Sequence, residues 1–188
     1  FRLDMRSTVN LHIFLSEVQS ESRLFKETQS TLKKNIFQKV LVCGLWSEGL
    51  KKFEVTSWGL KIYRKKTMLN FYKGTSLIPK IGLISKVVAL ISILQYTFFV
   101  LYQAKRSCPT HISCHNVSMM PVSWLASKIS GAHHIYVPHE LETERIYLEG
   151  MKKKIASFIE KMFIYSCRDI VVVCDPIAKW YREKYVLD

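Results

Sequence analysis

Short runs of unbroken apolar residues recur along this chain, and stretches with helical spacing separate them. "KVLVCG" (Lys39 to Gly44) and "DIVVVCD" (Asp169 to Asp175) are the clearest of these runs. A strand that is apolar throughout, with no polar residue on alternate positions, is buried on both faces. Burial on both faces requires a parallel sheet with helices packed above and below it. Right-handed crossovers then lead to a doubly wound, Rossmann-like α/β domain.

The remaining elements fit that frame. "NLHIFL" (Asn10 to Leu15), "HISCH" (His111 to His115) and "HHIYVP" (His133 to Pro138) read as short strands, and "LKIYRKK" (Leu60 to Lys66) as a further one. "SRLFKETQSTLKK" (Ser22 to Lys34) reads as a helix with Leu24, Phe25, Thr28 and Leu32 at helical spacing. "PVSWLASKIS" (Pro121 to Ser130) is a helix with proline in its first turn. "KKKIASFIEKMFIYSC" (Lys152 to Cys167) places Ile155, Phe158, Ile159, Met162 and Phe163 on one stripe expected to face the core. "PIAKWYREKY" (Pro176 to Tyr185) is the last helix. The strands expected at the centre of the sheet include Val40–Cys43, Ile112–Cys114, Ile135–Val137 and Ile170–Val173.

With 188 residues, 48% of them hydrophobic, the chain can bury one substantial core. Its formal net charge of +13 favours anionic partners: nucleic acid, an acidic membrane face or a phosphorylated ligand. Five cysteines, an odd number with no CxxC pair, several of them inside apolar runs, suggest a reducing compartment without a disulfide framework or a zinc site. The chain begins at Phe1 without a signal peptide and stops directly after a helix, so it reads as a fragment of something longer.

In a doubly wound sheet, ligands bind beyond the carboxyl ends of the strands. That edge should collect Ser16 and Glu17, Ser47 and Glu48, His115 and Asn116, His139 and Glu140, and Asp175. "HELETE" (His139 to Glu144) is not a zincin motif, because Thr143 stands where the second histidine is required. No G-x-S-x-G elbow is present, and Cys114 in "SCHN" falls in a buried strand, which argues against a nucleophile there. The turn "SEVQSES" after the first strand has no glycine, which argues against a dinucleotide or ATP site. Lysines and aromatics mix between Lys51 and Lys73, but no nucleic-acid-binding signature accompanies them, so a solvated basic face is expected and nucleic acid is not the expected partner.

The long apolar segment between Lys80 and Arg106 has no charge from Val87 to Ala104. As a helix that uncharged part spans about 27 Å, close to the hydrocarbon core of a bilayer. Polar residues interrupt it and α/β elements flank it, so a helix packed in the domain, one side of which could stay exposed, is expected in preference to the alternative of a transmembrane span. The lysines around it suit an anionic membrane surface.

Taken in order, these pieces resemble a known family. "SRLFKETQSTLKK", "LKIYRKK", "HISCHN", "HHIYVPHELETE" and "FIEKMFIYSCRDIVVVCDPIAKWYREKY" resemble successive motifs of the family 4 (group 1) glycosyltransferases, from about Asn10 onward. The most specific is "HHIYVPHELETE". Two positions depart from the pattern: Pro138 stands where the family usually has Asp, and "SCPTHISCHN" lacks the usual Asp before its strand.

The resemblance implies a GT-B enzyme with two Rossmann-like domains facing across a cleft. Residues 1–188 would be the N-terminal, acceptor-binding domain, and a second domain carrying an E-x7-E signature would hold the nucleotide-sugar donor. It implies transfer of a sugar to a glycan or lipid-linked acceptor, with no bound metal or cofactor in this half. By the same resemblance His139 is the catalytic candidate, and Arg23, His115, Asn116, Glu140 and Asp175 are the acceptor-binding candidates. Glu140 is expected to fix the loop or the next helix N-terminus, and Glu142 and Glu144 to face solvent or nearby lysines. His139 could instead merely cap a helix. The expected location is cytoplasmic, peripheral on the inner face of the plasma membrane. The rival reading is a non-enzymatic basic α/β adaptor for an anionic membrane or partner.

Overall fold

The computed structural model describes residues 8–68, 82–144 and 149–186. Lys73 and Lys80, at the start of the long apolar segment, lie outside them, as does the end of the Lys51–Lys73 basic stretch. In chain order the elements are β1 (Val9–Ile13), α1 (Ser22–Lys33), β2 (Lys39–Leu45), β3 (Phe53–Val55), β4 (Lys61–Lys65), α2 (Gly82–Ser107), β5 (His111–Cys114), α3 (Met120–Ser130), β6 (His133–Tyr136), α4 (Gly150–Phe163), β7 (Asp169–Ile170) and α5 (Asp175–Tyr185). The strands form one seven-stranded sheet in the order β3-β4-β2-β1-β5-β6-β7. Only β3 and β4 pair antiparallel; the other neighbours are parallel. The expected doubly wound parallel sheet is therefore present.

Two cores flank the sheet. One joins Leu11, Ile13 and Ile112 to Tyr96 and Val100 of α2, Ala126 of α3, Ala156 of α4 and Tyr181 of α5. The other packs Phe14, Val40, Val42 and Ile62 against Leu24 of α1. α1 thus covers one face, and α2, α3 and α4 lie side by side on the other. Gly131 closes α3 in the left-handed conformation, φ 70°, where any side chain would be strained. Gly44 is required for a different reason: a Cβ there would meet Val18 Cγ2 at 2.6 Å and the Ser16 carbonyl at 3.0 Å. The β1–α1 loop therefore crosses directly over the end of β2.

Two expectations need correction, and one strand went unpredicted. First, Ile170–Val173 is not a central strand. β7 has two residues and lies at the edge of the described sheet, and Val171 and Val173 are half-exposed beyond it. Apolar content alone does not distinguish a central strand from an edge. The strand β3 went unrecognised because it is three residues long with Phe53 and Val55 exposed.

Second, α4 turns a different face inward. Ala156 and Glu160 are buried, with Ile159 and Phe163 partly so, while Ile155, Phe158 and Met162 point outward. α2 likewise uses only one side. Val88, Ser92, Tyr96, Val100 and Ala104, spaced by four, face the sheet, and the Tyr96 hydroxyl reaches the carbonyls of Phe14 at 2.6 Å and Cys43 at 2.9 Å.

Candidate functional site

β1 and β5 are neighbours although five elements separate them in sequence, so the strand order reverses between them. Their carboxyl ends, with that of β6, mark the edge at which such sheets take ligands. Side chains alternate along a strand. Leu11 and Ile13 enter the α2 side of the sheet, and Phe14 the α1 side. Asn10 and His12 share the parity of Phe14, and Ser113 and His115 continue this polar row on β5 and just past it. The Ser113 hydroxyl donates to Asn10 Oδ1 at 3.1 Å.

The histidines form a line. His12 Nδ1 lies 2.8 Å from His115 Nε2, and His115 Nδ1 lies 3.2 Å from His139 Nε2. Both pairs of rings are within 22° of parallel. Phe14 stacks on His115 with ring centres 4.1 Å apart. His12 and His115 are buried, and His139 at the edge is partly exposed. Burial pushes the His12 imidazole down to about 3. His115 is pushed well below its ordinary value, by burial first and then by its two histidine neighbours.

A neutral imidazole has one N–H and one lone pair. With His115 neutral and bonded on both sides, only two proton arrangements satisfy both contacts. In one, every N–H points toward His12, and Nδ1 of His139 carries the lone pair. In the other, every N–H points toward His139, and its Nδ1 carries the proton. The buried pair therefore sets whether His139 offers a base or a donor at the edge.

Two expected acceptor-side residues join this corner. Arg23 in the first turn of α1 donates from Nη1 to the His139 carbonyl at 3.0 Å. Asn116 Oδ1 accepts the Leu15 N–H at 2.9 Å, tying the exits of β1 and β5 together. Glu140 is exposed beside His139. Asp175 instead opens α5, past the edge strand, and lines a hollow with Pro176, Lys179, Arg182 and Glu183. Glu142 does not face solvent, because it is buried. Glu144 does meet lysine: Lys153 Nζ donates to it at 2.6 Å.

His12, Glu27 and His115 place ligand atoms within 4.8 Å of one another, a set able in principle to gather a cation. The near-parallel rings and the 2.8 Å His12–His115 contact are the geometry of a direct imidazole–imidazole hydrogen bond. Burial raises the Glu27 carboxyl above its ordinary value, toward the protonated form. Neither His12 nor Glu27 belongs to a local motif. The signal for His12 was the alternation N-x-H-x-F in β1, hidden within a run read as continuously apolar.

Two buried charged groups hold this architecture. Arg64 of β4 donates to the carbonyls of Glu17 and Val18 at 2.8 Å each, and to Glu54 Oε2 at 2.8 Å. It thereby pins the loop that follows β1, where Val18 is buried in the left-handed conformation. On the other face, Glu160 accepts hydrogen bonds from the hydroxyls of Tyr136, Tyr181 and Tyr185, with Lys184 Nζ 3.5 Å away. This explains why "HHIYVP", "FIEKMF" and "AKWYREKY" occur together: one acid in α4 is shared by β6 and α5.

Two hollows lie away from the histidines. One of about 470 Å³ sits between β7 and α5, and another of about 450 Å³ lies beside Trp58 and Arg64.

No protein-family model matches this chain, and no curated protein matches it. Solved structures of sucrose-phosphate synthase from Thermosynechococcus elongatus share its fold. One is 13% identical with a TM-score of 0.61, covering 95% of this chain and 83% of that one. Another is 12% identical with a TM-score of 0.63, covering 95% of this chain and 45% of that one. The chain thus spans less than half of that second structure's length. At these identities the likeness is one of fold alone, a Rossmann-like α/β domain of the kind that forms one half of the GT-B architecture.

Proposed function

We propose that this chain is the N-terminal, acceptor-binding half of a family 4 glycosyltransferase. In this reading a partner half holds a nucleotide-sugar, and the sugar passes to a glycan or lipid-linked acceptor. The observation that carries the reading is the line of imidazoles from His12 through His115 to His139, ending at the switch-point edge of the sheet.

His139 is the group that meets the substrates. With the protons arranged toward His12, its Nδ1 lone pair takes the proton of the attacking acceptor hydroxyl. His115 stays neutral, and its Nδ1 lone pair accepts the His139 Nε2–H, which steadies the imidazolium that forms on His139. In the opposite arrangement Nδ1–H donates, which suits a phosphate oxygen on the donor side. Arg23 holds the backbone of His139 in place, and Asn116 holds the neighbouring loop. The diphosphate charge that develops on the leaving group is offset by protein donors and a helix N-terminus of the partner half.

The test offers the full protein carrying this chain a panel of nucleotide-sugars, with glycan and lipid-linked acceptors, and measures nucleoside diphosphate release. Release that needs both a donor and an acceptor is expected. A folded protein that releases none with any combination belongs with the non-enzymatic adaptors instead.

A further inference from the structure

The outer faces of α2, α3 and α4 form one layer on the same side of the sheet. Opposite its buried stripe, α2 exposes Leu90, Leu94, Phe98 and Tyr102, with Phe98 69% exposed. α3 adds Leu125 and Ile129. α4 adds the outward stripe of Ile155, Phe158 and Met162 described above. A soluble surface rarely leaves so many large apolar groups contiguous.

The exposed charges on these three helices are all positive, with Lys153 paired to Glu144 beside α4. α2 carries Lys86, Lys105 and Arg106, α3 carries Lys128, and α4 carries four lysines. The three helices contain a single acid, Glu160, which is buried. We propose that this three-helix face docks on an anionic lipid bilayer, lying in its plane with the apolar side chains among the acyl chains and the lysines at the headgroups. This proposal does not depend on the proposed transfer reaction.

The alternatives fit less well. A second copy docking face to face would set this array of positive charge against its own image. A transmembrane path for α2 would break its inner contacts. The helix is long and apolar enough to cross a membrane, but Tyr96 is bonded to the carbonyls of Phe14 and Cys43, and α2 lies between two strands of one parallel sheet. An amphipathic layer with lysines around an apolar centre matches an interfacial position.

The experiment is co-sedimentation of the full protein with vesicles of phosphatidylcholine alone or mixed with phosphatidylglycerol, across a salt series. Binding to the mixed vesicles should exceed binding to the neutral ones by at least about tenfold, since each lysine near an anionic surface contributes roughly fivefold. It should weaken toward the neutral level at about 1 M salt, where screening acts within about 3 Å. Reversing Lys128, Lys154 and Lys161 to glutamate should weaken it by more than about a hundredfold. Phe98→Ser with Phe158→Ser should weaken binding to both vesicle types. These sites are exposed, and the salt series on the unmodified protein keeps the test sharp if a variant fails to fold.

Three results would overturn the proposal. One is equal binding to neutral and anionic vesicles at every salt concentration. Another is self-association without lipid together with no vesicle binding. The third is association that only detergent reverses, which means a spanning helix.

Discussion

His139 Nε2 stands 3.2 Å from His115 Nδ1, and the two rings are 22° from parallel. His115 therefore supports His139 from behind while being bonded to His12 on its other side. His115→Leu removes both contacts and leaves His12 Nδ1 buried without its partner. An unsatisfied buried group of this kind costs about 1–3 kcal/mol, and each kcal/mol lowers the thermal midpoint of a chain this size by about 2–4 °C. Nitrogen-15 spectra of the histidine rings give a second readout. His12 and His115 should stay neutral at pH 5, because both are held below their ordinary values by burial. An imidazolium signal from either ring at that pH would break this account of the line.

Acid should destabilise the fold, and His134 gives the cleanest measure. It is buried in β6, with Nε2 2.7 Å from Ser123 Oγ and Nδ1 3.1 Å from Ser166 Oγ. Burial lowers it from 6.5 to about 4. The folded state thus binds the proton less readily than the unfolded chain. The contribution of His134 is fully present above pH 6.5 and is lost as pH falls from there toward 4, by about 3 kcal/mol at most. His12, at about 3, acts in the same direction over the same upper range. Denaturant midpoints measured from pH 7 to pH 4 should fall steadily. His134→Gln should flatten that fall by up to one proton, or about 1.4 kcal/mol per pH unit. A variant with the same slope as the parent would show that His134 does not titrate in this way.

Glu160 should matter to stability far more than to binding. Its carboxyl group is fully buried and accepts three tyrosine hydroxyls. The phenols of Tyr136, Tyr181 and Tyr185 are all raised above their ordinary values, by burial first and with Glu160 contributing, so they remain donors. Glu160→Ala strands those donors and Lys184 together and should cost about 3–5 kcal/mol. Tyr136→Phe removes one bond and should cost about 1 kcal/mol. A Glu160→Ala protein that melts within a degree or two of the parent would mean that water replaces the carboxyl group.

The sheet was legible because β2 is apolar from Val40 to Cys43 and short strands alternate with helical stretches along the chain, an order that suits a parallel layer covered on both faces. β7 was misjudged for the same reason, since Val171 and Val173 are as apolar as any core strand yet lie at its margin. The inward face of α4 was not legible either. Helical spacing marks the apolar stripe Ile155–Phe158–Met162, but only contact with Tyr136, Tyr181 and Tyr185 makes Glu160 the better residue to bury. His115 and His139 were legible as residues just past strand ends. His12 was not, because its role depends on pairing between β1 and β5, about a hundred residues apart, which no local pattern records.

The last prediction separates the two roles open to His139. As a group that meets the acceptor, it makes its decisive hydrogen bond only in the transition state, and losing such a bond costs about 3 kcal/mol, or roughly a hundredfold in rate. As a structural residue, it contributes its bond to His115 and its ring contact with Phe14, worth about 1 kcal/mol of stability. The Arg23 bond goes to the His139 backbone carbonyl and survives in either case. His139→Ala in the full protein should therefore lower turnover about a hundredfold while moving the thermal midpoint by only a few degrees. His139→Gln, which keeps a hydrogen-bonding side chain but cannot take up a proton at neutral pH, should recover the midpoint and not the turnover. If His139→Gln recovers turnover as well, proton transfer is not the task of this residue. If His139→Ala turns over normally with a lowered midpoint, His139 is structural, and the catalytic group at this edge of the sheet lies elsewhere.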